Sequence, residues 1–207
     1  MRKRGPPPSA TGKSRQPTTP PHAQTPSGVL SRDRQASMRN AAIAAAATLA
    51  VFLLSYLTLP TFFDFPTAQL DRFVFVFRAE IFIFLWVVVA FRIVSSNRFF
   101  GSVTGDSPRL PAGEQQGVAV QFAHHTLQQA IMALVAHAAL ATLLEGPAIA
   151  LLVGAIVLFI AGRAIFIAGM RSSADARSIG MMMTTLPTVL CYAAAIVLLI
   201  VRGLRIS

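Results

Sequence analysis

The chain has 207 residues, of which 54% are hydrophobic and 13% charged, and its mean hydropathy is +0.61. A soluble domain carries about 25% charged residues, so water cannot be the solvent for most of this surface. The formal net charge is +10, but residues 1–40 hold eight of the basic residues (Arg2, Lys3, Arg4, Lys13, Arg15, Arg32, Arg34 and Arg39) against one acid, Asp33. The excess therefore belongs to a tail and not to a folded basic patch. Nucleic acid is not the expected partner, because attraction to anionic lipid headgroups accounts for the same charges more simply.

Seven of the thirteen prolines lie within residues 1–40, among many Ser, Thr and Gln and with no apolar periodicity. Such a composition predicts a disordered tail over 1–39. A polar segment of that length ahead of the first apolar run argues against a secretory signal peptide. The frequent Arg and Ser would suit a mitochondrial transit peptide, while the prolines oppose the amphipathic helix it needs.

Five apolar stretches follow, at about 40–59, 70–95, 117–144, 147–170 and 177–202. Each has or exceeds the roughly 20 residues that cross a hydrocarbon core. Alternating ten-residue strands of a β-barrel are not seen. The expected fold is all-α, a polytopic transmembrane helical bundle: a four-helix domain over 70–204 preceded by an extra N-terminal helix at 40–59. Two placements fit that first, Ala-rich helix. It either spans, or lies on the membrane surface and moves the tail to the other side.

Orientation follows from basic residues near the helix ends. With the tail inside, its eight basic residues are joined by Arg92, Arg98, Arg109, Arg171 and Arg177, leaving Arg72, Arg202 and Arg205 outside. The expectation is a multi-pass protein of the bacterial inner membrane with its N-terminus in the cytoplasm.

Polar groups are costly in lipid, so their positions inside the spans carry information. At 3.6 residues per turn, Gln121, His125, Gln128 and Gln129 share one face of the third stretch. Arg163 lies about two turns before the end of the fourth and shares a face with Phe166 and Met170; Arg177 follows in the next connection. These residues meet at one membrane depth, on the inner side. They offer cationic and amide donors and no carboxylate, so a ligand would be anionic. The competing reading is structural: Arg163 snorkels and the amides join helices. His124 and His125 are adjacent and point about 100° apart on a helix, so no metal site is expected.

In the outer half, Arg78, Glu80 and His137 form a second polar group, and each requires its own partner. Pro187 inside the last stretch removes a donor from the carbonyl of Met183 and predicts a kink, with Thr184 and Thr185 near the freed backbone. Ala161, Gly162, Ala164, Ala168 and Gly169 give the fourth helix a surface for close packing. The lone Cys191 cannot form an internal disulfide and reads as a small apolar residue.

Two segments, His-His-Thr-Leu-Gln-Gln-Ala at 124–130 and Gly-Arg-Ala-Ile-Phe-Ile-Ala-Gly-Met at 162–170, are followed by Arg177 and Gly180. In order and spacing they resemble the family of membrane-associated proteins in eicosanoid and glutathione metabolism (MAPEG), over about 70–204. Members usually show an Arg, an Asn four residues on and a Glu three further. Next comes Gly-Arg-x-x-Tyr-x-x-Gly-Tyr, with an Arg seven residues later. Gly162, Arg163, Gly169 and Arg177 agree with that pattern. Gln121 stands at the Arg, His125 at the Asn and Gln128 at the Glu, while Phe166 and Met170 replace the two Tyr.

The resemblance implies a homotrimer of four-helix subunits that binds glutathione near the cytosolic face and acts as a glutathione transferase or glutathione-dependent peroxidase. Arg177 would be the catalytic residue, stabilising the thiolate that acts as nucleophile. Arg163 would hold a ligand carboxylate, and Gln121, His125, Gln128, Phe166 and Met170 would complete the ligand site. The replaced positions leave two other classes open: a non-catalytic scaffold or lipid-like ligand binder on the same fold, and a small transporter or channel subunit lined by Arg78, Glu80, His137 and Arg163.

Overall fold

The computed structural model describes residues 26–100, 112–172 and 174–206, and every regular element among them is helical. In chain order these are α1 (Pro26–Phe62), α2 (Gln69–Ala79), α3 (Ile81–Phe100), α4 (Ala112–Leu143), a 3-10 turn (Gly146–Ile149), α5 (Ala150–Ser172) and α6 (Ala174–Ile206). Five segments are long and apolar enough to cross a membrane: Arg34–Phe62, Gln69–Ser96, Ala119–Leu143, Gly146–Met170 and Asp175–Leu204. The chain is a helical, multi-pass membrane protein. Large apolar side chains such as Leu49, Leu53, Phe82, Leu85, Val135 and Leu199 lie exposed on its outer surface, where water would not be tolerated and lipid is.

α1 starts at Pro26, well ahead of the helix expected from residue 40, so it takes in the last third of the tail expected to be disordered. The physical reason is propagation. Pro26 suits a first helical turn, the next proline is Pro60, and extending a helix from an Ala-rich stretch costs little once it has nucleated. Residues 1–25 of the expected tail, and Arg109, lie outside the described residues.

α1 packs along α5 and α6 rather than apart from them. Ala44, Leu158 and Met183 form a buried cluster flanked by Ala47, Val51 and Ile165. Further along, a Cβ on Gly154 would lie 2.7 Å from the Ser55 hydroxyl, so the missing side chain lets the two helices touch. At one end of the bundle Arg39 and Asn40 both donate to the carboxylate of Asp175, at 2.7 and 3.1 Å. This contact ties the start of α6 to α1 at Arg39 and Asn40, where α1 enters its apolar stretch. At the opposite end Arg202 donates to the Leu143 carbonyl at 2.6 Å and to Glu145 at 3.3 Å, placing a cation where the carbonyls of α4 run out of partners.

The expected second helix is two, α2 and α3, joined by the single turn residue Glu80. Hydrogen bonding is almost unbroken there, since Glu80 N–H reaches Val76 O at 3.0 Å and Phe84 N–H reaches Glu80 O at 3.0 Å. The α5–α6 pair is the most intimate. A Cβ on Gly180 would sit 2.6 Å from the Gly162 carbonyl, and one on Gly169 would sit 2.6 Å from Arg177 N. Gly162 and Gly169 thus serve the close packing expected of them, whereas Ala164 and Ala168 are exposed. α6 passes through Pro187 as one helix. The hydroxyls of Thr184 and Thr185 donate to Met181 O at 2.8 and 3.0 Å rather than to Met183.

Candidate functional site

A cleft of about 410 Å³ opens near the tail end of the bundle, between α4, α5 and α6. α4 contributes Gln121, Phe122 and His125; α5 contributes Phe166; α6 contributes Arg177, Ser178 and Met181. Each helix supplies its residues at helical spacing, so the cleft follows from local geometry. Gln121 and His125 are one turn apart on α4, and Arg177 and Met181 one turn apart on α6. Phe122 and Phe166 stack beneath them, with ring centroids 5.1 Å apart and planes 17° apart. The stack belongs to a buried cluster with Ala90 and Ala123, against which Met170 packs.

The cleft therefore assembles Gln121, His125, Phe166 and Arg177 from three separate segments. Among the described residues its lining offers one guanidinium, an amide and an imidazole on α4, one hydroxyl and no carboxylate. The other residues singled out in the sequence lie elsewhere. Gln128 is exposed on α4, and Met170 supports the stacked rings without lining the cleft. Sequence reasoning missed Phe122, Ser178 and Met181. Ser178 and Met181 were within reach of a simple signal, being the neighbour of Arg177 and the residue one turn beyond it.

Arg163 is fully buried and lies one turn deeper than the stacked rings. Its guanidinium donates to Thr126 Oγ1 at 3.3 Å and Thr184 Oγ1 at 3.0 Å, tying α4, α5 and α6 together. Its central carbon lies 5.1 Å from the centroid of the Phe159 ring, within cation–π range. Among the described residues no acid pairs with it, and its Nε has no partner. Its charge thus adds to the positive field under the cleft.

The second polar group, toward the end of the bundle opposite the tail, resolves differently. Glu80 and His137 bond to each other, while Arg78 is exposed on α2. Among the described residues no cluster of three or more His, Cys, Asp and Glu could hold a metal ion. Comparison of the chain with protein-family models, with curated proteins and with solved structures finds no match.

Proposed function

We propose that the cleft binds a small anionic thiol of the glutathione class, and that the protein is a divergent member of the MAPEG family acting as a glutathione transferase or peroxidase. What supports this is one observation: Gln121, His125, Phe166 and Arg177, drawn from three segments, share a cleft whose described lining holds the Arg177 guanidinium and no carboxylate. Arg177 would stabilise the thiolate by a charge-assisted contact, and Gln121, His125 and Ser178 would bond the rest of the ligand. In transfer, the thiol proton leaves to water and the sulfur bonds to an electrophilic carbon as the leaving group departs with its electron pair. The stacked Phe122 and Phe166 offer an apolar floor to the acceptor.

The same reading takes the protein as a homotrimer. Gln121, His124, Gln128, Ile131 and Val135 are all exposed on α4, at the alternating three- and four-residue spacing of a helix–helix seam. Three of the five are polar within a candidate span, and polar side chains in a span avoid lipid. Self-association through α4 would cover them and bring the cleft beside the interface. The tail end is assigned to the cytoplasmic face of the bacterial inner membrane on its basic excess, with the tail against anionic headgroups.

Since Gln128 and Arg163 do not line the cleft, a simpler anionic or lipid-like ligand bound without catalysis is the second reading. Calorimetric titration with glutathione tests the first. Saturable binding that is lost in Arg177→Gln supports it, and no binding at millimolar glutathione by folded protein refutes it.

A further inference from the structure

A second and larger recess, about 790 Å³, runs down the side of the bundle between α2–α3 and α5. No described residue of α4 lines it, so it stands apart from both the cleft and the proposed α4 seam. Its volume is in the range of sites that take a small organic ligand. Its lining is apolar except for two side chains, Asp71 and Arg78. Both are exposed, and neither takes part in an ion pair among the described residues.

The order of these groups is informative. Asp71 lies in the first turn of α2, at the end of the bundle opposite the tail. Arg78 lies two turns further along the same face, roughly 10 Å deeper along the helix axis. Helical side chains lean toward their own N-terminus, so the long Arg78 side chain rises toward Asp71 and the interface. Below Arg78 the wall is formed by Phe82 with Ile156, Val157 and Ile160 of α5. From the water inward the recess therefore reads negative, positive, apolar. A guanidinium inside a span and facing hydrocarbon requires an anion, and among the described residues no carboxylate is ion-paired with Arg78.

The geometry points to an occupant with the complementary order: a phospholipid with a primary ammonium, of the phosphatidylethanolamine type. Its ammonium meets Asp71, its phosphate meets Arg78, and one acyl chain lies against Phe82, Ile156, Val157 and Ile160. Guanidinium suits a phosphate through paired N–H donors. Asp71 makes the site selective, because it repels a purely anionic headgroup where it attracts an ammonium.

The test is lipid retention by the full-length protein, equilibrated in nanodiscs of equimolar phosphatidylethanolamine and phosphatidylglycerol and read by native mass spectrometry. Wild type is expected to retain phosphatidylethanolamine with about tenfold preference. Asp71→Asn erases the preference, and Arg78→Gln lowers retention of both lipids. Val157→Trp fills the recess from an exposed position on α5 and lowers retention without altering charge, which covers the case in which a charge variant misfolds. Equal retention of the two lipids by wild type, or a preference that survives Asp71→Asn, overturns the assignment. So does cross-linking of two subunits through Val157→Cys, which would show a second copy in the recess.

Discussion

Glu80 Oε1 lies 2.5 Å from His137 Nδ1, and both side chains are 2% exposed. The contact joins the α2–α3 turn to α4 across 57 residues of sequence. It gives the break at Glu80 a cause, since the turn residue is the one whose side chain is drawn inward. The remaining oxygen of Glu80 and the remaining nitrogen of His137 have no partner among the described residues, so the pair is closed on itself.

Removing half of this pair should be costly. Glu80→Ala leaves a buried imidazole unpaired and is expected to destabilise the bundle by about 3 kcal/mol. Glu80→Gln keeps a hydrogen bond and should cost less than half of that. Unfolding in mixed micelles by denaturing detergent measures both. Equal losses in the two variants would show that the contact is not what matters at this position.

Arg163 should behave in the opposite way. Thr126 and Thr184 each donate to a carbonyl of their own helix, Phe122 O at 2.7 Å and Met181 O at 2.8 Å. Their hydroxyls stay bonded if the guanidinium is lost. Exchanging a buried ion for an apolar side chain of similar volume is often neutral, so Arg163→Met is expected to fold with stability within about 2 kcal/mol of wild type. Its affinity for anions in the cleft should fall, because the field beneath Phe122 and Phe166 is removed. Collapse of the fold would instead assign Arg163 a purely structural role.

The α5–α6 contact predicts a contrast between glycines. Gly180→Ala drives a methyl group to 2.6 Å from the Gly162 carbonyl and should destabilise by about 1–3 kcal/mol. Gly203, in the same helix, has nothing within 4 Å of its would-be Cβ. Gly203→Ala is expected to stabilise by about 0.5–1 kcal/mol through helix propensity. Thermal unfolding of the two variants in one detergent is the comparison to make.

At the tail end, Asp175→Asn weakens the hold on Arg39 and Asn40. The Arg39–Asp175 pair is exposed, so the global effect should stay below about 1 kcal/mol and shrink with added salt. Faster proteolysis near Arg39 and Asn40, with the membrane spans still protected, is the local signature expected.

The spans were legible because runs of about 20 apolar residues have one physical use, and because the Pro147 region punctuates them; the end expected before Pro60 was not met, since α1 continues through Pro60 to Phe62. The helical reach of α1 back to Pro26 was not, since its polar residues show no periodicity and only propagation from the Ala-rich stretch carries them into the helix. Shared faces of Gln121 with His125, and the depth of Arg177, were readable from helical spacing. The inward turn of Arg163 toward Thr126 and Thr184 depends on how three helices rotate about their axes, which one chain's pattern does not state. The Glu80–His137 contact was hidden for the same reason. Each residue plainly needed a partner, but the partner lay on another helix.

The most direct test is ultraviolet absorbance of the thiolate on adding glutathione to the purified, detergent-solubilised protein, at a pH where free glutathione is a thiol. The account predicts a saturable thiolate signal that disappears in Arg177→Ala and persists in Gln128→Ala, whose side chain lies outside the cleft. A folded protein that gives no thiolate signal, or one unaffected by Arg177→Ala, would contradict it.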